Sequence, residues 1–182
     1  MDTALRMTHD IDAGLASFFW MDPHTHVDAA HLTARGLDDV LLYHMVVSDL
    51  YAAGCASGSR LDEDRTQEAA RARIVEALPY LSSARNTFMA WGVRTILADL
   101  YNWREAVTES NWKRLDGTIR ERAGDDAWAR EVMRRANVAR TGTELWRRRD
   151  SSADDLLQYS VEWAFFARSQ RGQADIPLFE LE

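Results

Sequence analysis

Two histidines separated by a single residue, His24 and His26, are the side chains of this sequence best suited to holding a metal. They lie in the segment FFWMDPHTHVDAAH, residues 18–31, directly after a short aromatic run. If the strand continues through them, residues i and i+2 point to the same face, and both imidazoles project together. Two such nitrogens can bind one ion, typically zinc, at about 2.0–2.1 Å. The spacing therefore predicts part of a metal site.

A complete site needs further donors, because zinc takes about four ligands including any water. The nearest extra candidates are Asp28, His31 and His44. Asp22 is in phase with the histidine pair and could orient an imidazole from outside the coordination shell or cap the turn. Two readings without a metal remain open: surface histidines in a loop, and a hydrogen-bonded core histidine at position 44. The metal's identity is also open, because imidazole suits zinc, iron, nickel and copper.

The elements that would position these residues are a strand and a helix. Residues 16–21 are short, apolar and aromatic, and Asp22-Pro23 ends them, which predicts a buried strand. A leading helix is expected within residues 1–15. Apolar residues then recur with helical spacing over residues 37–51, which predicts one helix with His44 on its apolar face. Gly54 is suited to ending that helix.

The rest of the chain reads as mostly helical. Local signals predict five helices and one further strand: a charged helix over 65–78 broken at Pro79, a helix over 87–103, one after an N-cap at Thr108, one capped by Asp125 or Asp126, a strand over 138–145, and a helix over 152–169 opened by a capping box.

Composition excludes several classes of function. The 182 residues suit one domain, and the net charge of −7 without a dominant basic patch argues against nucleic acid as a partner. The one dense basic cluster, Arg147 to Arg149, is interpreted as a solvent-exposed segment that leads into a helix. A single cysteine, Cys55, fits a reducing cytoplasm, so a cytoplasmic protein is expected. Neither a secretion signal nor a membrane-spanning stretch is evident, so no membrane partner is expected.

The segments DPHTHV and RGLDDVLLYHMVVSDLYAAG, in this order, resemble the N-terminal part of uronate isomerases, the glucuronate isomerase branch of the amidohydrolase superfamily. Residues 77–81, 86–103 and 111–122 look like the same family's helical insertion. The resemblance extends over most of the chain, and its chemically specific motif is His24-Thr25-His26, supported by Tyr43-His44.

The resemblance implies a role for each matching residue. His24 and His26 match metal ligands at the end of the first barrel strand, and His44 matches a helix histidine that contacts the sugar acid. Many family members have a tyrosine after that histidine, whereas here Met45 follows it and Tyr43 precedes it. Tyr43 is therefore assigned to substrate binding with His44, Asp22 is assigned outside the coordination shell, and the catalytic base stays unassigned.

The fold implied is α/β and predominantly helical: the N-terminal portion of a metal-dependent (β/α)8 TIM-barrel hydrolase-like fold with a large helical insertion. Such a barrel needs roughly 250 residues, so the barrel is expected to be incomplete in this chain. Residues 1–182 are expected to form a single unit. It would comprise a leading helix, first barrel strand and following helix within 1–56, a helical insertion over 57–136, and a second strand and helix over 137–182.

The resulting hypothesis is a zinc-dependent isomerase that interconverts aldouronates and ketouronates of the glucuronate/fructuronate type, in a truncated or partial chain. The expected partners are a small sugar acid and either further copies of the chain or a missing C-terminal half. Two alternatives stay open: a metal-dependent hydrolase of the amidohydrolase type, which Met45 keeps in play, and a non-catalytic helical module or assembly partner.

Overall fold

The computed structural model describes residues 11, 13–15, 17–23, 25, 27–55, 67–144 and 154–160. His24 and His26 lie outside these residues, and only the backbone of His44 is described. The chain divides into two compact units, and we describe each by itself. The sheet unit is drawn from residues 1–32 and 129–182, and the helical unit comprises residues 33–128.

The described part of the sheet unit contains three parallel strands: β1 (Trp20–Asp22), β2 (Val138–Glu144) and β3 (Leu157–Ser160). Their order across the sheet is β1-β2-β3. Asp22 pairs with Thr141, and Thr141 pairs with Leu157 on the other side. Because all three strands run in one direction, their carboxyl ends meet at the same edge of the sheet. The strand predicted over residues 138–145 is confirmed as β2.

The expected TIM-barrel fold is wrong: the described strands form a small parallel sheet in a mixed, largely helical structure. Barrel strands are covered on both faces, by side chains that fill the interior and by the outer helices. In β1, by contrast, Trp20 is 46% exposed and Met21 is 58% exposed. The strand is also only three residues long, with an irregular register between these two residues.

Two further predictions in this unit fail. The aromatic run was expected to be a buried strand over residues 16–21, but β1 begins at Trp20, and Phe18 and Phe19 are exposed before it. The helix expected over 152–169 is also wrong where the structure describes it: Asp154–Leu156 form a 3-10 turn and Leu157 begins β3. Residues 161–169 lie outside the described part.

The helical unit contains five complete helices among its described residues and the start of a sixth, which continues into the sheet unit. They are α1 (Leu37–Leu41), α2 (His44–Ala52), α3 (Gln67–Ala84), α4 (Phe88–Tyr101), α5 (Trp112–Arg120) and α6 (Asp126–Arg135). The predicted helix over 87–103 is confirmed as α4, with the Thr87 side chain capping it through Ala90 N. Asp125 caps α6, since its Oδ1 accepts hydrogen bonds from Ala127 N and Trp128 N.

The single helix expected over residues 37–51 is broken into α1 and α2. Tyr43 is extended, with φ −61° and ψ 141°, and α2 begins at His44. The break shifts the phase of the helix by one position. As a result Val46 and Leu50 are buried, whereas Ser48 and Tyr51, which the helical spacing over residues 37–51 places on the same face as His44, are exposed.

The break expected at Pro79 is wrong, because α3 runs through that proline. Proline removes the hydrogen bond to the carbonyl of residue i−4, here Val75. Val75 and Pro79 are both exposed, so water can reach that face of the helix. Ile74 and Leu78 on the other face are buried in the core and hold the helix in place.

A buried carboxylate ties α5 to the start of α1. Asp116 Oδ1 accepts a hydrogen bond of 2.9 Å from Leu37 N, and its Oδ2 accepts one of 2.7 Å from Arg120 Nε. Gly36 precedes α1 and has no side chain to cap it, and a Cβ there would lie 2.9 Å from Asp116 Oδ1. Asp116 therefore takes the capping role from 79 residues away.

Among the described residues, the helices are too short or too polar for any of them to cross a membrane.

Candidate functional site

The segment that carries the histidine motif is anchored to β2 through the residue between the two histidines. Thr25 donates two hydrogen bonds to the carbonyl oxygen of Gly142, from its backbone nitrogen at 2.8 Å and from its Oγ1 at 2.7 Å. The hydroxyl of Thr141 in turn donates to Thr25 Oγ1 at 3.2 Å. The extension of β1 beyond Pro23 is thereby held against the middle of β2.

Gly142 is required because the backbone after β1 lies directly against it. A Cβ at this position would be 2.5 Å from the carbonyl carbon of Pro23 and closer still to its oxygen. The obstacle is main chain rather than a flexible side chain, so it cannot rotate away. Any larger residue would push Pro23 and the residues after it off the sheet.

A second threonine of β2 fixes the other side of the motif. Thr143 donates a hydrogen bond of 2.8 Å from Oγ1 to the carbonyl of Val27. Thr141 and Thr143 are two residues apart on one strand, so they share a face, and both are buried. We call the four residues Thr25, Thr141, Gly142 and Thr143 the threonine latch. It fixes the neighbours of His24 and His26 in the sequence, while the two histidines themselves lie outside the described residues.

The other proposed ligands near the motif form a small exposed turn. His31 Nδ1 lies 3.2 Å from Asp28 Oδ2, and both side chains are about half exposed. Asp28 Oδ1 accepts from Ala30 N at 3.0 Å, and the Asp28 carbonyl accepts from His31 N at 2.8 Å. Asp28 and His31 thus contact each other. Within the part of the chain that the structure describes, no three His, Cys, Asp or Glu side chains are grouped to hold a metal.

Asp22 is the last residue of β1 and is exposed. Its register partner is Thr141, a member of the threonine latch, so the structure places it at the strand end that leads into the motif. Its assigned role, orienting an imidazole, stays a prediction.

Tyr43 and His44 belong to the helical unit. Tyr43 is the extended residue before α2 and is 47% exposed, and His44 is the first residue of that helix. The two residues therefore do not follow each other within one helix, as the sequence pattern suggested. Their assigned substrate-binding role stays a prediction.

An ion pair fixes the turn before β3 in the sheet unit. Arg130 donates from both terminal nitrogens to the two carboxylate oxygens of Asp155, each at 2.7 Å. These hydrogen bonds hold the pKa of Asp155 below its ordinary value, and the charge of Arg140 acts in the same direction. The pair is exposed, so it orients the turn more than it stabilises the fold.

The sequence interpretation missed the threonine latch entirely. The one available signal was the run Thr-Gly-Thr within β2, with two hydroxyls on alternate positions around a glycine. A glycine inside a strand often marks a close approach by another segment of backbone.

Comparison of the sequence with protein-family models and with curated proteins finds no match. The resemblance to uronate isomerases therefore depends on the short motifs alone.

Proposed function

We propose that this chain holds a divalent metal, zinc before others, through His24 and His26, and that the metal serves the isomerisation of an aldouronate to a ketouronate. The observation that supports the proposal most directly is the threonine latch. Thr25 lies between the two histidines in the sequence, and three hydrogen bonds fix it to β2. Ligands on a restrained backbone lose less conformational freedom when they bind a metal.

The donor set fits a first-row transition ion. Two neutral imidazoles with one residue between them are nitrogen ligands of the type that zinc accepts, and zinc needs about two further ligands from protein or water. Asp22, at the end of β1, lies two residues before His24 in the sequence. It would accept the second ring N–H of one imidazole and so fix its tautomer.

The isomerisation moves two protons and leaves the oxidation level of the molecule unchanged. The proton on C2 of the aldouronate is removed and one is delivered to C1, while the hydroxyl proton on O2 is lost and O1 gains one. A metal bound to the substrate oxygens stabilises the negative charge that develops on them. In the proposal, His24 and His26 hold the metal, Asp22 orients one of them, and the base that moves the carbon-bound proton is unassigned.

Tyr43 and His44 are proposed to bind the sugar acid on the resemblance alone. The proposal for the metal does not depend on them, because it uses residues of the sheet unit.

The experiment is a substrate screen on zinc-loaded protein. Glucuronate and related aldouronates are incubated with the protein, and ketouronate formation is followed by NMR together with the exchange of the C2 proton for deuterium. The expected result is ketouronate formation that disappears in the His24→Ala/His26→Ala double variant and persists in His9→Ala, which changes a histidine that the proposal does not use. Turnover that survives in the double variant would contradict the proposal.

The same screen includes lactones and amides, which an amidohydrolase-type enzyme would hydrolyse. Hydrolysis of a lactone or an amide without isomerisation of a uronate would contradict the isomerase proposal and support the hydrolase alternative at the same metal site.

A further inference from the structure

One helix of the helical unit, α4, is apolar on two sides. Its sequence, FMAWGVRTILADLY, carries two charged side chains among 14 residues. Val93 and Leu97 are buried in the core of the unit. On the outer side, Phe88 is 73% exposed and Trp91 is 54% exposed. Apolar residues all round a helix are typical of a buried helix, so we expect a second surface to cover the outer side of α4.

The outer face of α4 consists of four residues at positions i, i+3, i+4 and i+7: Phe88, Trp91, Gly92 and Thr95. The rings of Phe88 and Trp91 are stacked, with their centroids 5.6 Å apart, so they form one continuous patch. A Cβ on Gly92 would meet nothing within 4 Å, so the space beside the rings is open. The Thr95 hydroxyl donates to the carbonyl oxygen of Trp91 at 3.1 Å. Its donor is thus satisfied within the helix, and an apolar group can cover Thr95 at little cost.

Along the outer face, side-chain size decreases in the direction of the chain: Phe88 and Trp91 come first, and Gly92 and Thr95 follow. Such a face is complementary to itself when two copies pack antiparallel about a two-fold axis, because the large end of each helix meets the small end of the other. With the axis between Trp91 and Gly92, Phe88 lies opposite the partner's Thr95. The two Trp91 rings lie side by side at the axis, and the two glycines let the helix backbones approach each other.

Charged residues at the two ends of α4 favour the same orientation. Arg85 lies three residues before the helix begins and Asp99 two residues before it ends, and both are exposed. Antiparallel packing brings Asp99 of one copy to the end where the partner's Arg85 and the first N–H groups of the partner helix lie. The guanidinium and the positive end of the helix dipole both attract a carboxylate. Parallel packing would place like charges together.

We propose that the outer face of α4 binds a second copy of this chain, as an antiparallel and isologous dimer interface. A helix of 14 residues is about 21 Å long and roughly 10 Å wide, so this face alone provides much less than the ~800 Å² per partner of a standard stable interface. The dimer is therefore weak and dissociates on dilution in the micromolar range. The proposal is independent of the metal site, whose residues lie in the sheet unit.

Sedimentation velocity tests for the dimer, over protein concentrations from about 1 to 300 μM. Salt at about 0.15 M screens the repulsion between chains of net charge −7. The wild type should shift reversibly from monomer to dimer. Trp91→Glu brings two like charges together at the axis and should weaken the dimer at least about tenfold. Tyr51→Glu is the matched control, because Tyr51 is an aromatic residue of α2 that is 58% exposed, and it should leave the dimer unchanged.

Far-UV circular dichroism confirms that each variant is folded. A wild type that stays monomeric over the whole concentration range would overturn the proposal, and the outer face would then have another occupant or none. A Trp91→Glu dimer with the wild-type affinity would overturn it as well, because the copies would then meet through a different surface.

Cysteine cross-linking tests where the two helices meet. In the proposed dimer the two residues at position 92 lie on the same side of the axis, so Gly92→Cys should form a covalent dimer under mild oxidation. Gly117→Cys is the control, since Gly117 also lies in a helix with nothing within 4 Å of its Cβ position. The native Cys55 is buried and should not react. Equal cross-linking of the two variants would contradict the interface.

Exchanging the end charges tests the orientation. Arg85→Glu and Asp99→Arg should each weaken the dimer about threefold, because each replaces an attraction by a repulsion at both ends. The double variant Arg85→Glu/Asp99→Arg restores opposite charges and should recover the wild-type affinity. A double variant that is no tighter than the single variants would contradict the antiparallel orientation.

Discussion

Thr25 donates two hydrogen bonds to one acceptor, the carbonyl oxygen of Gly142, at 2.8 Å from its backbone nitrogen and 2.7 Å from its hydroxyl. The two residues are 117 positions apart in the sequence. A contact of this kind fixes the segment after β1 to a strand that the chain reaches only after the whole helical unit. The proposed metal ligands are the immediate neighbours of Thr25, so the proposed function depends on this contact.

Removing the hydroxyl of Thr25 should loosen the segment. In Thr25→Val the shape is kept, but the Gly142 carbonyl loses one donor and the Thr141 hydroxyl loses its acceptor, so the free energy of unfolding should fall by about 1–2 kcal/mol. Zinc affinity should fall as well. Thr25→Ser keeps the hydroxyl and is the control. Urea denaturation and zinc titration measure both effects, and a valine variant as stable as the wild type would count against the latch.

Adding one methyl group at position 142 should be strongly unfavourable. The Cβ of Gly142→Ala would overlap the backbone of Pro23, so we expect a loss of about 1–3 kcal/mol and weaker zinc binding. Gly117→Ala is the matched control, because Gly117 is exposed within α5 and its Cβ would meet nothing within 4 Å. That variant should gain up to about 1 kcal/mol. Thermal or urea unfolding of the two variants measures the difference. Equal changes in the free energy of unfolding would contradict the close approach of the Pro23 backbone to Gly142.

The buried carboxylate of Asp116 should matter more than any exposed ion pair of the helical unit. Asp116→Ala leaves Leu37 N without its acceptor and the partly buried Arg120 without this partner, and we expect a loss of about 3 kcal/mol. Asp116→Asn keeps an acceptor for the backbone and should lose less. Glu105→Ala, which breaks an exposed pair with Arg114, should change stability by less than about 1 kcal/mol. Equal losses in Asp116→Ala and Glu105→Ala would contradict this ranking.

Asp38 should make the protein's stability depend on pH. Burial, reinforced by the charge of Asp39, raises the pKa of Asp38 above 3.8 despite the attraction of Arg73 and Arg120. The folded state then holds this proton more tightly than the unfolded state does. The stability contributed by Asp38 therefore falls as pH rises through the window above 3.8.

Comparison with Asp38→Asn isolates this effect. The unfolding free energy of the wild type minus that of the variant should decrease from about pH 4 towards neutrality. For Asp155→Asn the same difference should change with pH in the opposite direction. The hydrogen bonds from Arg130 lower the pKa of Asp155, so the stability that Asp155 contributes is lost as pH falls below 3.8. Urea unfolding across this pH range measures both. Parallel pH profiles for wild type and Asp38→Asn would contradict the assignment.

Local signals in the sequence were enough to predict β2, α4 and, for the cap of α6, the pair Asp125 or Asp126, of which Asp125 is the observed cap. Each has its cause within a few residues: β-forming residues for β2, Thr87 at the start of α4, and Asp125 before α6. The break before α2 has no such signal. Neither glycine nor proline occurs near Tyr43, and the apolar period continues across it. The break is compensated by Tyr43 itself, whose carbonyl accepts from Val46 N and Val47 N to begin a new helix.

That break also explains why the buried face of α2 could not be predicted. A continuous helix puts His44, Ser48 and Tyr51 on the buried face, whereas the observed phase buries Val46 and Leu50.

The candidate site was predictable only in part. The spacing of His24 and His26 indicates paired ligands, but the latch depends on contacts over more than 100 positions, which no local pattern encodes. The barrel was inferred from the resemblance rather than from the residues. The exposure of Trp20 and Met21 contradicts a barrel, in which both faces of every strand are covered. The apolar run in which they lie predicted burial, but an apolar strand is buried only if another element covers it.

The central claim is that His24 and His26 bind a metal, and zinc content per chain tests it most directly. Wild type, His24→Ala/His26→Ala and the control His9→Ala, which changes a histidine that the proposal does not use, are saturated with zinc, passed through a desalting column and analysed by mass spectrometry for metal and by amino-acid analysis for protein. The account predicts stoichiometric zinc in the wild type and in His9→Ala, and none above background in the double variant. Equal zinc in the double variant and the wild type would contradict it.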